Sequence, residues 1–334
     1  MRHRLSSFLF LSLAAAVLWP VTCPAPLIYT PGEGWTYEAV GEDTGEWKAD
    51  KAVDQLAMAK EALEKKNPKL ARKAAKRLVK TWPLSDYAPE AQYLVGRAYD
   101  EEGKDERAFK EYQKVIETYP TIPQYDEILM RQYQIANEYL AGKWFKLWGY
   151  IPFFPSMEKT TAMYKQIIDS GPFSEVATQS QMKIGEAREK QKNYDQAVEA
   201  YEEAADRYHD KPEVASDALY KAGMAYYKQA KTADYDQNVA DQAINTFTDF
   251  QALYPEDPRI EEVNQIIAEL RTEQARGSFE IARWYEKKRK FPGALIYYNE
   301  VILKDPESSL ADEARKRIDA IQQGTGAETF GDAQ

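Results

Sequence analysis

Cysteine and histidine are scarce in this chain, and their scarcity excludes several kinds of chemistry. The only cysteine is Cys23, so no internal disulfide can form. The two histidines are His3, near the N-terminus, and His209, which stands alone. Neither a histidine-based catalytic triad nor a histidine-rich metal site can be built from them. We therefore predict no enzymatic activity, no metal and no cofactor.

Positive charge is in deficit as well, and long apolar runs are missing after the first 30 residues. The chain has 44 lysines and arginines against 54 aspartates and glutamates, a formal net charge of −10. Such a composition argues against nucleic acid as a partner and provides no polybasic patch for anionic lipid. The carboxylates lie among lysines and arginines on polar helix faces, as on solvated surfaces. A catalytic carboxylate pair stays open as an alternative, because its members need not be neighbours in sequence.

What the chain does have is a regular spacing of small and aromatic residues. Residues 89–120 read PEAQYLVGRAYDEEGKDERAFKEYQKVIETYP, with small residues at Gly96 and Ala108 and a turn at Gly103. This is the tetratricopeptide (TPR) pattern, a helix–turn–helix of about 34 residues. We expect Gly96 to face Ala108, so that the two helices approach closely. One pair cannot bury its own apolar face, so further copies are predicted.

Five more copies of the pattern are present. We therefore predict an all-α fold, a TPR α-solenoid of about six helix–turn–helix repeats closed by a C-terminal capping helix. The repeat array is expected to span residues 49–323, and the tail at 324–334 is expected to be disordered. The paired small positions of the other copies are Ala59 with Ala71, Ala136 with Thr160, Gly185 with Ala197, Gly223 with Ala243, and Ala282 with Ala294.

The N-terminal segment, residues 1–25, is typical of an export signal. Arg2 and Arg4 flank His3 in a positively charged start, and a mostly apolar run follows from Leu5 to Trp19. The protein is therefore expected to be exported to the cell envelope.

Cys23 is a candidate for lipid attachment after export. The preceding Pro-Val-Thr departs from the usual bacterial lipobox, and ordinary cleavage after Ala25 is the alternative. The segment that follows, residues 26–48, is rich in proline and glycine and predicts an extended tether rather than a helix.

An aromatic insertion interrupts the third repeat. Residues 142–156 read GKWFKLWGYIPFFPS and separate the two predicted helices of that repeat. Insertions in repeat proteins map to loops on one face, often the binding face, and exposed aromatic clusters mark partner sites. The alternative is that these side chains fold back as a lid over the neighbouring repeat. The candidate partner-binding residues are Trp144, Phe145, Trp148, Tyr150, Phe153 and Phe154.

Two stretches resemble the BamD (ComL) type of outer-membrane assembly lipoprotein. They are the second repeat, residues 87–120, and the last repeat, which reads FEIARWYEKKRKFPGALIYYNEVILKDPESSLADEA over residues 279–314. The resemblance implies a scaffold at the periplasmic face of the outer membrane. It would dock on the periplasmic domains of a β-barrel insertase and help unfolded outer-membrane proteins reach it. The family often has Asn-Arg where this chain has Ile296 and Tyr297, so no contact of that arginine is expected here.

Two adaptor functions are consistent with these features. The first is a non-enzymatic scaffold for the assembly and insertion of β-barrel proteins, held to the membrane by a lipid if Cys23 is modified. The second is another exported TPR adaptor that links cell-wall synthesis or cell division to the envelope. Adaptors of the second kind often carry a coiled-coil trimerisation segment, and none is visible in this sequence, which favours the first.

Overall fold

The computed structural model describes residues 27–30, 34–37, 47–147, 151–232 and 237–329. Within these ranges the chain forms thirteen α-helices and two short antiparallel hairpins. Consecutive helices pack against each other as pairs, which confirms the predicted all-α tetratricopeptide fold. The chain divides into two compact units, residues 1–125 and 126–334, and each is described by itself.

The first unit holds a hairpin and two helix pairs. Asn67 shows how the sequence starts a helix here, since its side chain accepts a hydrogen bond from the Leu70 amide at 3.2 Å and Pro68 occupies the first turn. The elements are β1 (Leu27–Thr30), β2 (Gly34–Tyr37), α1 (Ala52–Glu64), α2 (Pro68–Thr81), α3 (Ala88–Glu101) and α4 (Asp105–Thr118).

The second unit holds the remaining helices and a second hairpin. Two buried clusters lie in its last two repeats, one around Phe247 and Leu270 and one around Tyr298, and these three side chains are fully buried. The elements are α5 (Tyr125–Leu140), β3 (Phe145–Leu147), β4 (Ile151–Phe154), α6 (Met157–Ser170), α7 (Glu175–Lys190), α8 (Tyr194–Arg207), α9 (Pro212–Thr232), α10 (Gln237–Leu253), α11 (Ile260–Lys287), α12 (Phe291–Lys304) and α13 (Ser309–Thr329).

Tight turns join the two helices of four repeats, and each turn has one residue in the left-handed region. Gly103 has φ 65°, and Lys66, Lys192 and Arg289 have φ 54°, 58° and 56° at the equivalent place. Around Gly103 the amides of residues 103 and 104 donate to the carbonyls of residues 100 and 99, which is the Schellman arrangement. Only Gly103 has the residue type that this conformation favours.

The close approach inside a repeat differs from the expected one. We predicted that Gly96 faces Ala108, but the ring of Tyr112, one helical turn further, fills the space instead. A Cβ on Gly96 would lie 2.6 Å from Tyr112 Cδ1, so any other residue would displace the ring. The prediction paired two small residues and missed that an aromatic ring needs the space. In the same way, a Cβ on Gly185 would lie 2.3 Å from the Tyr201 ring, and a Cβ on Gly223 would lie 2.6 Å from the Phe247 ring.

Two terminal segments also differ from the predictions. Where the structure describes the expected extended tether, the chain folds back as a hairpin, with Leu27 opposite Tyr37 and Thr30 opposite Gly34. β-Branched and aromatic residues dominate both strands and favour this pairing. At the other end, α13 continues through the start of the expected disordered tail to Thr329. The signal segment with Cys23, and residues 330–334, lie outside the described residues.

Candidate partner interface

The aromatic insertion begins at a well-defined helix end. Gly142 follows α5 with φ 106°, and its amide donates to the Tyr139 carbonyl at 3.0 Å. The Lys143 amide donates to the Glu138 carbonyl at 3.0 Å, which completes a Schellman end. The chain therefore leaves α5 abruptly at Gly142 and enters β3 three residues later.

The insertion then forms a hairpin, where the sequence had indicated only a loop. β3 and β4 pair antiparallel, with Phe145 opposite Phe154 and Leu147 opposite Ile151, and a bulge lies after Phe145. Ser156 closes the insertion as the cap of α6, since its hydroxyl accepts from the Lys159 amide at 3.3 Å. Alternating aromatic and aliphatic residues on both sides of a short turn could have predicted this hairpin.

Phe145 fixes the base of this hairpin to the helices. Its side chain is only 3% exposed and stacks on Tyr139 with ring centroids 4.1 Å apart. Lys159 from α6 places its ammonium 5.0 Å from the Phe145 ring and 5.7 Å from the Phe154 ring. Stacking of this kind and cation–π contacts each add to apolar burial. One aromatic residue of the insertion thus packs against α5 of its own repeat.

Trp144 and Phe154 behave differently, because they stay exposed to solvent. Trp144 is 52% exposed and Phe154 is 40% exposed, beside the buried Phe145. Trp148 and Tyr150 lie outside the described residues, and Phe153 is described only as a residue of β4. The hairpin is therefore held at its base and presents at least two large aromatic groups outward.

The elements around the hairpin are tied together by polar contacts. Tyr164 of α6 donates its hydroxyl to Asn137 Oδ1 of α5 at 2.6 Å. These two residues are 27 positions apart, whereas in the next repeat Tyr201 donates to Glu189, 12 positions before it. The insertion therefore lengthens the connection, and a hydrogen bond still joins α5 to α6 across it. Burial raises the pKa of the Tyr164 phenol, so the group stays neutral.

The C-terminal end of α7 contacts both helices that flank the insertion. Lys190 donates to the Leu140 carbonyl at 2.8 Å, at the last residue of α5. Arg188 lies 2.5 Å from Glu158 in the first turn of α6, and this hydrogen bond lowers the pKa of the Glu158 carboxyl. Both ends of the insertion are thus connected to one helix.

A polar groove of about 290 Å³ lies between α6, α7 and α8. At its floor the buried Gln181 donates to the Ala200 carbonyl at 3.2 Å and to Glu203 at 3.1 Å. Lys165 and Arg207 line it together with carboxylates, so charges of both signs face the groove. Such a surface suits a polar segment better than an apolar one.

The last repeat exposes a second apolar area. Trp284 on α11 is 52% exposed and Ile296 on α12 is 66% exposed. Next to them Tyr285 and Tyr297 stack with centroids 5.5 Å apart, and Lys290 places its ammonium 6.0 Å from the Trp284 ring. Large exposed apolar groups beside charged ones match the centre and rim of a protein interface.

Within the described ranges, no cluster of three or more histidine, cysteine, aspartate or glutamate side chains is placed to hold a metal ion. Among the same residues, no helix combines the length and apolarity that crossing a bilayer requires.

Two family models match separate parts of the chain. A tetratricopeptide repeat model matches residues 56–123, and the model of the YfiO outer membrane lipoproteins matches residues 156–329, more than half of the chain. The chain belongs to the YfiO family of outer membrane lipoproteins. The YfiO match begins at the cap of α6, so the aromatic hairpin lies between the two matched regions.

Comparison with solved structures adds little to the YfiO match. The C-terminal part of a TPR repeat-containing protein from Cytophaga hutchinsonii is 15% identical, with 80% of this chain and 88% of that chain covered and a TM-score of 0.36. MamA from Desulfovibrio magneticus RS-1 is 17% identical, with 63% and 98% covered and a TM-score of 0.31. PilF from Pseudomonas aeruginosa is 13% identical, with 80% and 97% covered and a TM-score of 0.29. No protein of curated function matches the sequence significantly.

Proposed function

We propose that this protein is a non-enzymatic adaptor at the periplasmic face of the outer membrane, where it acts in the assembly and insertion of β-barrel proteins. The observation that carries the proposal is the YfiO family match over residues 156–329, which spans α6 to α13. Tetratricopeptide arrays act by presenting extended helix faces to partners. The adaptor would therefore bind proteins and catalyse no reaction.

The exposed apolar area of the last repeat supports docking on the periplasmic domains of an insertase. Trp284 and Ile296 offer large side chains that lose water on binding, and charged side chains lie beside Trp284. Aromatic residues at the centre of an interface commonly supply most of its binding energy. Related proteins often have Asn-Arg where this chain has Ile296 and Tyr297. Docking here would therefore rest on apolar contacts.

The aromatic hairpin supports contact with unfolded barrel proteins. Among the described residues, β3 and β4 pair only with each other, so their outer edges offer backbone groups to an added strand. Clients of an insertase are chains of alternating apolar strands. Such a strand could pair with an edge while Trp144 and Phe154 contact its apolar side chains.

Attachment to the membrane is proposed to use a lipid on Cys23. A chain with two acyl groups on this residue would stay with the membrane at high salt. Fractionation of wild-type cells and of cells with Cys23→Ser tests this part alone. Release of the variant, but not the wild type, by a high-salt wash is expected, and equal release of both would exclude lipid anchoring.

The experiment that tests the function is affinity purification of the tagged protein in mild detergent, followed by mass spectrometry. A stoichiometric β-barrel protein with periplasmic repeats is the expected partner. A Trp284→Ser, Ile296→Ser variant should lose it, and a matched variant of two exposed apolar residues elsewhere, Leu84→Ser with Phe173→Ser, should keep it. Enrichment of cell-wall or division proteins in place of the barrel protein would contradict the proposal and favour the alternative adaptor function.

A further inference from the structure

A basic groove lies on the first repeat of a chain whose net charge is −10. The sequence of α2, PKLARKAAKRLVKT, contains six cationic residues and no carboxylate. Together with Trp47 they line a groove of about 780 Å³. The prediction that the chain has no polybasic patch is therefore wrong. The net charge of the whole chain is negative, but cationic residues recur every three or four positions along this one helix. The six residues are Lys69, Arg72, Lys73, Lys76, Arg77 and Lys80.

Two of the six cations have carboxylate partners inside the unit. Arg72 lies 2.9 Å from Glu102, and Lys76 lies 3.6 Å from Glu111. Lys76 also donates to the Tyr99 hydroxyl at 2.9 Å. Burial alone would raise the pKa of the Tyr99 phenol, but the hydrogen bonds and charges of Lys76 and Arg72 lower it below its usual value. The local potential here is therefore positive in spite of the paired carboxylates.

The other four cations have no carboxylate within ion-pair distance in the described part of the chain. They are Lys69, Lys73, Arg77 and Lys80, and all but Arg77 are exposed. Among the described residues no carboxylate offsets the mutual repulsion of these four charges on one helix face, and this repulsion costs stability. An anionic ligand would remove this repulsion.

Trp47 forms one wall of the groove, and the protein holds it in place. Its carbonyl accepts a hydrogen bond at 3.0 Å from Gln55, which is fully buried in α1, and the same side chain accepts from the Ala49 amide at 2.8 Å. The Lys73 ammonium lies 4.2 Å from the centroid of the Trp47 ring. The groove is thus built from a rigid helix and an anchored aromatic wall.

We propose that this groove binds an extended acidic segment of a partner protein. From Lys69 to Lys80 the cations follow the helix for about 16 Å, at 1.5 Å per residue, which is the length of about five residues of extended chain. A groove with an aromatic wall admits a single chain, whereas a flat bilayer cannot enter it. The acidic remainder of the protein would also be repelled by an anionic bilayer. The inference does not depend on the role in barrel assembly.

The test uses a fluorescein-labelled octaglutamate peptide and the full chain, with binding followed by fluorescence anisotropy. The variant reverses the three exposed cations of the groove, Lys69→Glu, Lys73→Glu and Lys80→Glu. The matched control reverses three exposed lysines elsewhere, Lys110→Glu, Lys287→Glu and Lys316→Glu, and has the same net charge. The peptide should bind wild type and control alike and the groove variant at least tenfold more weakly. Binding should also weaken steeply between 50 and 500 mM salt, because exposed charges are screened.

Three results would overturn the proposal. Equal binding to the groove variant and the control would show that the groove does not recognise the peptide. Binding of the wild type to vesicles containing phosphatidylglycerol, lost in the groove variant and without peptide binding, would assign the face to the membrane. Peptide binding that appears only after Glu38, Glu42, Asp43 and Glu46 are changed to amides would show that the chain's own acidic segment competes for the groove.

A milder variant keeps the test decisive if the triple reversal unfolds the first repeat. Lys69→Gln with Lys80→Gln leaves the contact between Lys73 and Trp47 intact and should weaken binding about threefold. Circular dichroism melting of all variants checks that the fold is retained.

Discussion

Gly96 offers the most direct test of how the repeats pack. A Cβ at this position would lie 2.6 Å from two carbons of the Tyr112 ring, whereas ordinary contacts lie at 3.4–4 Å. In Gly96→Ala the ring must therefore retreat by about 1 Å in a fully packed site, at a cost of about 1–3 kcal/mol. Alanine also favours helix over glycine by about 1 kcal/mol, which offsets part of that cost.

The matched control is Gly277→Ala in the middle of α11. A Cβ there meets only the Gln237 amide nitrogen at 3.5 Å, an ordinary contact. This variant keeps the helix-propensity gain without the clash, so we expect it to be stabilised by about 0.5–1 kcal/mol. Because the propensity gain is common to both variants, their free energies of unfolding should differ by about 1–3 kcal/mol.

Urea unfolding followed by circular dichroism gives the global effect, and hydrogen exchange of peptides from α3 and α4 gives the local one. Exchange from these helices should accelerate about tenfold for each 1.4 kcal/mol lost. Gly96→Ala should cost less in a Tyr112→Leu background, where the ring is gone. If Gly96→Ala stabilises the protein as much as Gly277→Ala does, the proposed contact with Tyr112 is wrong. Gly96→Leu, which adds more atoms to the same space, should destabilise more than Gly96→Ala.

Three further predictions concern the hairpin, the turns and the buried tyrosines. Phe145→Ala should lower the free energy of unfolding by about 3 kcal/mol in urea, because a buried ring is lost, while Trp144→Ser should stay within about 0.5 kcal/mol; equal effects would contradict the split between a packed base and an exposed face. Lys66→Gly and Lys192→Gly should each stabilise by about 0.5 kcal/mol by relieving the left-handed backbone, and a lower urea midpoint would refute this. Burial raises the pKa of the Tyr201 phenol, so its contribution to stability is complete below pH 10 and is lost as pH rises above 10. The urea midpoint of the wild type should therefore fall between pH 9 and 11, and the midpoint of Tyr201→Phe should fall less.

Residue spacing predicted part of the packing inside the repeats. Gly96 and the residues equivalent to it were recognised as positions where helices approach, because small residues recur at a fixed spacing. Their true partner was not recognised, since which side chain fills a gap depends on the rotation of the second helix about its axis. Tyr112 occupies the space that we assigned to Ala108.

The sequence identified the candidate interface but did not show which of its aromatic residues are buried and which are exposed. Six aromatic residues in one insertion marked an unusual surface, and both interpretations, lid and binding site, agreed with the composition. The structure assigns Phe145 to the packed base and leaves Trp144 and Phe154 exposed. This distinction depends on Tyr139 and Lys159, which flank the insertion in sequence and meet it only after the helices pack.

The sequence by itself determined the helical repeat fold, because helix periodicity, small residues and closing prolines act over a few neighbouring positions. Only the tertiary structure decided which aromatic groups face solvent and where charge accumulates. The six cations of α2 were present in the sequence from the start, but their effect depends on which carboxylates come near. Arg72 meets Glu102, the cap of α3, and Lys76 meets Glu111 of α4, whereas Lys69 and Lys80 meet no carboxylate in the described part of the chain. Such distances are set by the packing of whole helices, which no local pattern contains.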